Sequence, residues 1–319
     1  MKVTEYFEKA QGRCLASFEV LPPIKGGGIE SIFKTLDPLM EFKPPFIDVT
    51  YHREEYVYKE NKNGFYEKTS IRKRPGTVGI CTAIMHRYGV ESVPHLLCGG
   101  FTIEETEDVL IDLNFLGIKN ILTLRGDARK FESRFVPTEG GHEYAIDLVK
   151  QVERMNNGIY LDANIENGQK TNFCIGVAGY PEKHFEAPNE EIDIQFTKDK
   201  IDAGGDYIVT QMFFDNKAFF KYRDKCRANG IKVPIVPGIK PLTKLYQLNS
   251  IPRFFFTNIP NELSKEMLKV KDSKKKVKEV GIEWCIQQCK ELKEAGVPGI
   301  HFYTMGDSKT ISKIAEAVF

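Results

Sequence analysis

The sequence lacks the features that would place the protein in a membrane or on nucleic acid. No stretch approaches the roughly 20 apolar residues that a spanning helix needs, and the N-terminal MKVTEYFEKAQGR has no apolar signal-peptide core. The 45 Lys and Arg residues balance 44 Asp and Glu residues, so no global charge would attract polyanions. We therefore expect a cytoplasmic protein without a nucleic-acid or membrane partner.

Paired cysteines are also missing. The seven cysteines are scattered, odd in number and never spaced as C-x-x-C. This argues against a disulfide framework and against a zinc knuckle, so we expect reduced thiols that mostly serve packing, and no metal site. The hydrophobic share of 41% and the charged share of 28% are those of an ordinary globular protein with a sizeable core.

What the sequence does contain is a regular alternation of short apolar runs with longer segments of helical period. Glycines at 117, 204, 230 and 296 follow four of the helical segments, where they favour a left-handed helix end. Eight apolar runs are predicted to be strands: 14–21, 46–51, 91–98, 120–127, 172–180, 207–214, 234–240 and 299–305.

Eight strand–helix units predict an α/β fold, a single (β/α)8 barrel over residues 1–319 with extra helices before the last strand. A doubly wound open sheet is the alternative. It is disfavoured because no G-x-G-x-x-G follows the first strand, and the glycines at 26–28 have the wrong spacing.

Two polar regions interrupt this pattern. Residues 52–76 are long for a loop and are either a rim segment over the barrel mouth or a solvated insertion. The lysine cluster at 271–278 is predicted to be a solvated loop entering the helix before the last strand, rather than a phosphate or nucleic-acid patch.

Polar residues gather where the predicted strands end, which is where a barrel carries its chemistry. Glu19 alternates with apolar neighbours and is predicted to face the barrel interior. A partly desolvated carboxyl has a raised pKa and could act as a general acid, or it could form a structural ion pair. The run Arg125-Gly126-Asp127 combines a cation, an open backbone and an anion, which suits a ligand better than an exposed turn.

Other candidates carry weaker signals on their own. His95, Tyr180 and His184 lie near strand ends, although a lone histidine is more often structural. Gln211 is an amide within an apolar run, and it must be hydrogen-bonded either to a ligand or to the backbone.

Taken in order along the chain, these fragments resemble the methylenetetrahydrofolate reductase family. The resemblance runs from the first strand to the last and covers essentially the whole chain. The matching fragments are FEVLPP (18–23), DVTY (48–51), PHLLC (94–98), LRGD (124–127), AGYPEKH (178–184), KIDAG (200–204), TQMFFD (210–215), PGIKP (237–241) and HFYT (301–304).

This resemblance implies a barrel that binds FAD without a Rossmann motif, uses NADH or NADPH, and forms a homo-oligomer. Glu19 matches the proton donor to folate, and Asp127 matches an aspartate between flavin and pterin. The implied substrate-binding residues are Thr50, Asp127, Tyr180, Gln211, Gln247 and Tyr303. The implied FAD-binding residues are Tyr51, His95, Arg125, Gly126, Asp127, Tyr144, Ala178, Tyr180, His184, Ala187, Asp193 and Lys200.

Some positions depart from the better-known bacterial pattern. Arg53 replaces a small residue, Ile251 replaces an aromatic residue thought to stack on the ligand, and Asp307 replaces an arginine that assists folate. No residue follows Phe319, so we expect no appended regulatory domain and no inhibition by S-adenosylmethionine.

The family activity would reduce 5,10-methylenetetrahydrofolate to 5-methyltetrahydrofolate for methionine synthesis, by a ping-pong hydride relay through FAD. Two alternatives remain: a barrel aldolase or lyase, which would use a phosphate site after the last two strands, and a non-catalytic folate- or flavin-binding barrel.

Overall fold

The computed structural model describes residues 1–129 and 132–319. Its elements alternate as the sequence predicts, apart from one inserted pair of strands. In chain order they are α1 (Val3–Ala10), β1 (Leu15–Val20), α2 (Glu30–Leu36), a 3-10 helix (Asp37–Phe42), β2 (Phe46–Val49), β3 (Glu55–Glu60), β4 (Tyr66–Ile71), α3 (Thr77–Tyr88), β5 (Glu91–Leu97), α4 (Ile103–Phe115), β6 (Asn120–Leu124), α5 (Ala145–Asn156), β7 (Cys174–Gly179), α6 (Glu190–Asp202), β8 (Tyr207–Thr210), α7 (Asn216–Ala228), β9 (Ile235–Val236), β10 (Gly238–Ile239), α8 (Gln247–Phe255), α9 (Asn261–Lys269), α10 (Lys274–Glu294), β11 (Gly299–Tyr303) and α11 (Ser308–Val318).

The parallel strands close into a barrel in the order β1-β2-β5-β6-β7-β8-β9, with β10 and β11 returning to β1. The short strands β9 and β10 occupy one predicted run, 234–240, and Pro237 lies between them. Proline has no backbone N–H to give to a ladder, so the strand breaks there. Its first half pairs with β8 and its second half with β11. The structure therefore confirms the (β/α)8 barrel, with α8, α9 and α10 as the extra helices before β11.

The main core lies between the outer face of the barrel and the surrounding helices. Phe18 of β1 stacks on Phe302 of β11 with ring centroids 5.8 Å apart, and both rings are fully buried. The predicted helix ends are confirmed at Gly204 and Gly230, whose φ angles of 126° and 80° are left-handed. The nearly continuous apolar runs in the sequence are typical of parallel strands that are covered on both faces.

The polar region 52–76 contains regular structure that its composition did not indicate. Strands β3 and β4 form an antiparallel hairpin, and most of its side chains are exposed. The turn is held by Asn61, whose side-chain oxygen accepts from the backbone N–H groups of Asn63 and Phe65. Arg72 and Arg74, at the base of the hairpin, contact the Tyr51 hydroxyl and the Pro22 carbonyl, so the segment is attached beside the barrel mouth.

The lysine cluster at 271–278 is only partly a loop. Helix α10 begins at Lys274, with the Ser273 hydroxyl accepting from the Lys276 N–H at its first turn. Lys278 lies within the helix and pairs with Asp307 at 3.0 Å. Across the described residues, no helix has the length and apolar character needed to cross a membrane.

Helix α10 approaches the loop after β10 closely, and this contact depends on Gly281. A Cβ atom on that glycine would lie 1.5 Å from the Leu242 carbonyl oxygen. We expect Gly281→Ala to lower the free energy of unfolding by about 3 kcal/mol or more, because backbone must move to admit the methyl group. Denaturant unfolding would measure the loss.

Gly79 provides the matched control, since it lies in α3 with no atom within 4 Å of its ideal Cβ position. Gly79→Ala should raise the unfolding free energy by up to about 1 kcal/mol through helix propensity. Equal effects of the two substitutions would contradict this packing of α10.

Candidate active site

The predicted site residues that belong to the strands or directly follow them lie at the carboxyl-terminal end of the barrel. Parallel strands place these ends around one mouth, so residues far apart in sequence become neighbours. The residues at this end are Glu19, Thr50, Tyr51, His95, Arg125, Gly126, Asp127, Ala178, Tyr180, Gln211 and Tyr303.

Glu19 lies on β1 inside the barrel, and only 9% of the residue is exposed. Its Oε2 atom is 3.7 Å from His95 Nε2. Burial is the main cause that raises the Glu19 pKa to about 7; the charge of Asp48 adds to the rise, and His95 and Lys240 oppose it. A carboxyl that titrates near neutral pH can both hold and release a proton under physiological conditions.

A buried polar cluster surrounds Glu19, and three of its members, Ser17, Asp48 and His301, are not among the predicted site residues. Asp48 Oδ1 lies 3.5 Å from His95 Nε2, and Asp48 Oδ2 lies 3.8 Å from His301 Nδ1. Ser17 Oγ is 2.9 Å from His301 Nδ1. Burial lowers the His301 pKa, which favours the neutral imidazole.

A sequence signal for this cluster exists. Asp48 interrupts the apolar run 46–51, just as Glu19 interrupts the run before it, and the two residues are register partners on β2 and β1. His301 is likewise the register partner of Ser17 on β11 and β1. Polar residues that interrupt predicted apolar strands therefore indicate inward-facing groups, but the strand register of the structure is needed to show which of them meet.

The Arg125-Gly126-Asp127 run forms part of the rim. Arg125 pairs with Glu186, lowering the pKa of that carboxyl, and its guanidinium lies 5.1 Å from the centre of the Phe135 ring. Gly126 has a left-handed φ of 88°, a backbone conformation that favours glycine over residues with a side chain. Asp127 is exposed, so its carboxylate is accessible to a ligand.

A second group of predicted cofactor-binding residues lies on β7, on α6 and in the loop between them. The rings of Tyr180 and His184 meet edge to face with centroids 4.6 Å apart, and burial lowers the His184 pKa to about 4. The His184 backbone N–H donates to buried Asp193. Lys200 donates to the Ala178 carbonyl at 2.6 Å, and burial lowers the pKa of this amine to about 8. The structure thus brings together five of the residues predicted to bind a cofactor.

The side of the mouth next to the hairpin is rich in arginine. The Tyr51 ring packs on Phe101, and its hydroxyl accepts from Arg72 at 3.1 Å. Thr50 Oγ1 lies 3.3 Å from His52 Nε2. Arg53, a departure from the bacterial pattern, pairs with Glu132 at 2.7 Å.

Several predicted substrate residues are hydrogen-bonded to the chain's own backbone. Gln211 accepts from the Met212 N–H, and Tyr303 donates to the Thr210 carbonyl at 2.6 Å. Gln247 is buried, and its side-chain oxygen accepts from the N–H groups of Thr243 and Lys244. Tyr144 is exposed before α5, and Ala187 is buried before α6.

The two substitutions predicted to affect folate binding have structural roles. Ile251 is 2% exposed and belongs to the cluster that includes Met212 and Phe214. Asp307 caps α11 by accepting from the N–H of Thr310 and also pairs with Lys278. No group of three or more His, Cys, Asp or Glu residues suited to a metal ion occurs in the described ranges.

Together, the fold and the site define a parallel α/β barrel with a desolvated acidic site inside its carboxyl-terminal end. The family model for methylenetetrahydrofolate reductase matches residues 3–318, and the chain belongs to that family. A 5,10-methylenetetrahydrofolate reductase of Pectobacterium carotovorum is 32% identical over 297 residues, which are 92% of this chain and 87% of the relative.

Longer relatives also match. Methylenetetrahydrofolate reductase (NADH) 1 of Arabidopsis thaliana is 33% identical across 97% of this chain and 49% of its own length. The chain thus spans about half the length of that relative. Among solved structures, a Clostridium thermocellum protein that binds two copies of 5-methyl-5,6,7,8-tetrahydrofolic acid has a TM-score of 0.59 at 14% identity, covering 98% of this chain and 97% of its own. That likeness supports the fold.

The burial of Glu19 predicts a pH-dependent contribution to stability. A pKa raised from 4.5 to about 7 on folding means that protonated Glu19 stabilises the fold fully below pH 4.5, and that this stabilisation is lost as pH rises through about 7. Glu19→Gln removes the titration. Its unfolding free energy relative to the unchanged protein should therefore rise across that window, by about 3 kcal/mol at most.

Chemical denaturation at a series of pH values would measure the difference. Glu8→Gln, at an exposed position on α1, is the matched control and should show no such rise. A Glu19→Gln difference that is constant between pH 4.5 and pH 7 would refute the assignment of a neutral buried carboxyl.

Proposed function

We propose that the protein is an FAD-dependent reductase that converts 5,10-methylenetetrahydrofolate to 5-methyltetrahydrofolate with NADH or NADPH, in support of methionine synthesis. Family membership supports the reaction class. The observation that carries the mechanism is the buried position of the Glu19 carboxyl inside the mouth, where burial raises its pKa to about 7. The proposal includes a cytoplasmic location, small-molecule substrates, a single barrel domain and a homo-oligomeric state.

The residues present fit an FAD molecule along one arc of the mouth, from β5 to α6. Arg125 offers a cation for the pyrophosphate, and the left-handed Gly126 leaves backbone accessible. His95, a further proposed FAD contact, is buried on β5 beside this arc. Tyr180 with His184 offers aromatic surface, and Asp193 offers a buried acceptor. Bound FAD would supply a two-electron carrier between the nicotinamide and the folate.

Glu19 has the central role among the chain's own groups. It donates its proton to the folate nitrogen that leaves as the five-membered ring opens, and that nitrogen keeps the electron pair of the broken carbon–nitrogen bond. The one-carbon unit becomes an electrophilic iminium, which accepts the hydride to form the methyl group. Water exclusion around Glu19 keeps this proton from solvent before folate arrives.

The remaining predicted residues bind and orient the substrate. Exposed Asp127 can accept from N–H groups of the pterin, and Gln211, Gln247 and Tyr303 are proposed contacts on the opposite side of the mouth. Gln211 and Tyr303 would have to exchange their present bonds to backbone for bonds to substrate. Thr50 and Tyr180 are proposed for the nicotinamide, which would use the same mouth before folate and so give ping-pong kinetics.

The proposal predicts that Glu19→Gln separates two half-reactions. Glutamine keeps the size and hydrogen bonding of the side chain but cannot act as the acid. NADH or NADPH should bleach the yellow protein at a near-normal rate, since that step needs no proton from Glu19. Return of the colour on adding methylenetetrahydrofolate should slow by about 100- to 10,000-fold. Anaerobic stopped-flow absorbance measures both rates.

Glu182→Gln is the matched control, because burial also raises the Glu182 pKa, and its side chain instead accepts from the Asn258 N–H. Both half-reactions should persist in that variant. Equal slowing of both half-reactions by Glu19→Gln, with a lowered melting temperature, would overturn the acid role in favour of a structural one. A colourless purified protein would favour the lyase alternative, and a yellow protein without turnover would favour a non-catalytic binder.

A further inference from the structure

Asp48 has an unusual environment for a carboxylate. The residue is fully buried on β2, and neither of its side-chain oxygens has a hydrogen-bond partner among the described residues. Its nearest ionisable neighbours, His95 and His301, lie 3.5 Å and 3.8 Å away. Burying a carboxylate without such partners is destabilising, so the placement of Asp48 calls for an explanation other than stability.

His95 connects Asp48 to Glu19. The same nitrogen, His95 Nε2, is 3.5 Å from Asp48 Oδ1 and 3.7 Å from Glu19 Oε2. A single N–H can point at only one of these oxygens. When it points at Asp48, Glu19 has no donor from His95, and an ionised Glu19 would face the negative charge of Asp48 in a buried compartment.

We propose that Asp48 is a positioning residue that keeps Glu19 protonated, by competing with Glu19 for the Nε2 proton of His95 and by placing a second negative charge in the same buried compartment. The value of this arrangement for catalysis rests on the proposed acid role of Glu19. Its effect on the proton of Glu19 can be measured without turnover.

Other ionisable groups also lie around Asp48 and Glu19. Lys240 faces Glu19 and opposes the protonation of Glu19, and Tyr303 also lies beside Glu19. On its other sides Asp48 faces His301, Tyr207 of β8 and Cys81 of α3, and burial raises the pKa values of the phenol and the thiol well above their usual ranges. These two groups are therefore neutral near pH 7. Asp48 and Glu19 are the two carboxyl groups facing this His95 nitrogen within the described structure.

The sign of the effect distinguishes this proposal from its main rival. If Asp48 served mainly to keep His95 positively charged, removing the Asp48 charge would discharge His95 and make Glu19 hold its proton more tightly. If Asp48 acts as proposed, removing the charge frees the His95 proton for Glu19 and removes a repulsion. Both changes make Glu19 lose its proton more easily.

The test is the titration midpoint of Glu19 in the FAD-loaded protein without substrate. Infrared spectroscopy of protein labelled with 13C-glutamate reports the carbonyl band of the protonated carboxyl, and the band lost in Glu19→Gln identifies it. Asp48→Asn should lower the midpoint by about one pH unit. At pH 7 the protonated fraction would then fall about fivefold. The alkaline limb of flavin reoxidation by methylenetetrahydrofolate should move down by the same amount.

Asp206→Asn is the matched control. Asp206 precedes β8 at the opposite end of the barrel, where it accepts from the Ile175 N–H, and its loss should leave the Glu19 midpoint unchanged. Asp48→Ser gives a second neutral variant in case asparagine is not accommodated, and it should shift the midpoint in the same direction. An unchanged or raised midpoint in a folded Asp48 variant overturns the proposal. A lowered midpoint in a protein without reductase activity would instead support the Asp48 effect and reject the proposed function.

Discussion

Closing eight strands into a barrel removes the side chains on the inner face of the sheet from water, and the chemistry proposed for this protein depends on that constraint. Ser17, Glu19, Asp48, His95 and His301 are all less than 10% exposed. In an open sheet such groups could be solvated. Inside the barrel their proton affinities are set by burial and by one another.

The interrupted seventh strand completes this enclosure. Pro237 cannot donate to a ladder, yet its carbonyl accepts from the His301 N–H at 2.9 Å, and the Gly238 N–H donates to the Thr210 hydroxyl. The barrel thus remains paired on both sides of the break, through β9 to β8 and through β10 to β11. The last of these strands also carries His301, so closure and the buried cluster share a strand.

The mouth divides into an inner and an outer part with different physical properties. The inner part holds buried ionisable groups. The outer part holds exposed or half-exposed Arg125, Asp127 and Tyr180 beside the arginine-rich base of the hairpin. This division suits the proposed reaction, because large charged ligands need an accessible rim whereas proton transfer benefits from a dry interior.

Much of the fold followed from sequence, because buried parallel strands are apolar runs and helices end at glycines such as Gly117 and Gly296, whose φ angles are left-handed. The inward direction of Glu19 followed from strand period. The hairpin of β3 and β4 did not, because its strands are exposed and carry no apolar alternation. The Asp48 cluster also did not follow from the sequence, because its members come from four strands and only strand register brings them together. Gln247 could be named from the family pattern, but its bonds to Thr243 and Lys244 depend on a local turn.

The central claim is that the buried Glu19 carboxyl still holds its proton as the pH approaches 7. Neutron diffraction from crystals of the deuterium-exchanged protein, held about one pH unit below the Glu19 pKa of about 7, would locate that proton directly. The account predicts nuclear density for deuterium on a Glu19 carboxyl oxygen, none on Asp48, and the Nε2 deuterium of His95 directed at Asp48. Deuterium on Asp48 with an ionised Glu19 would contradict it.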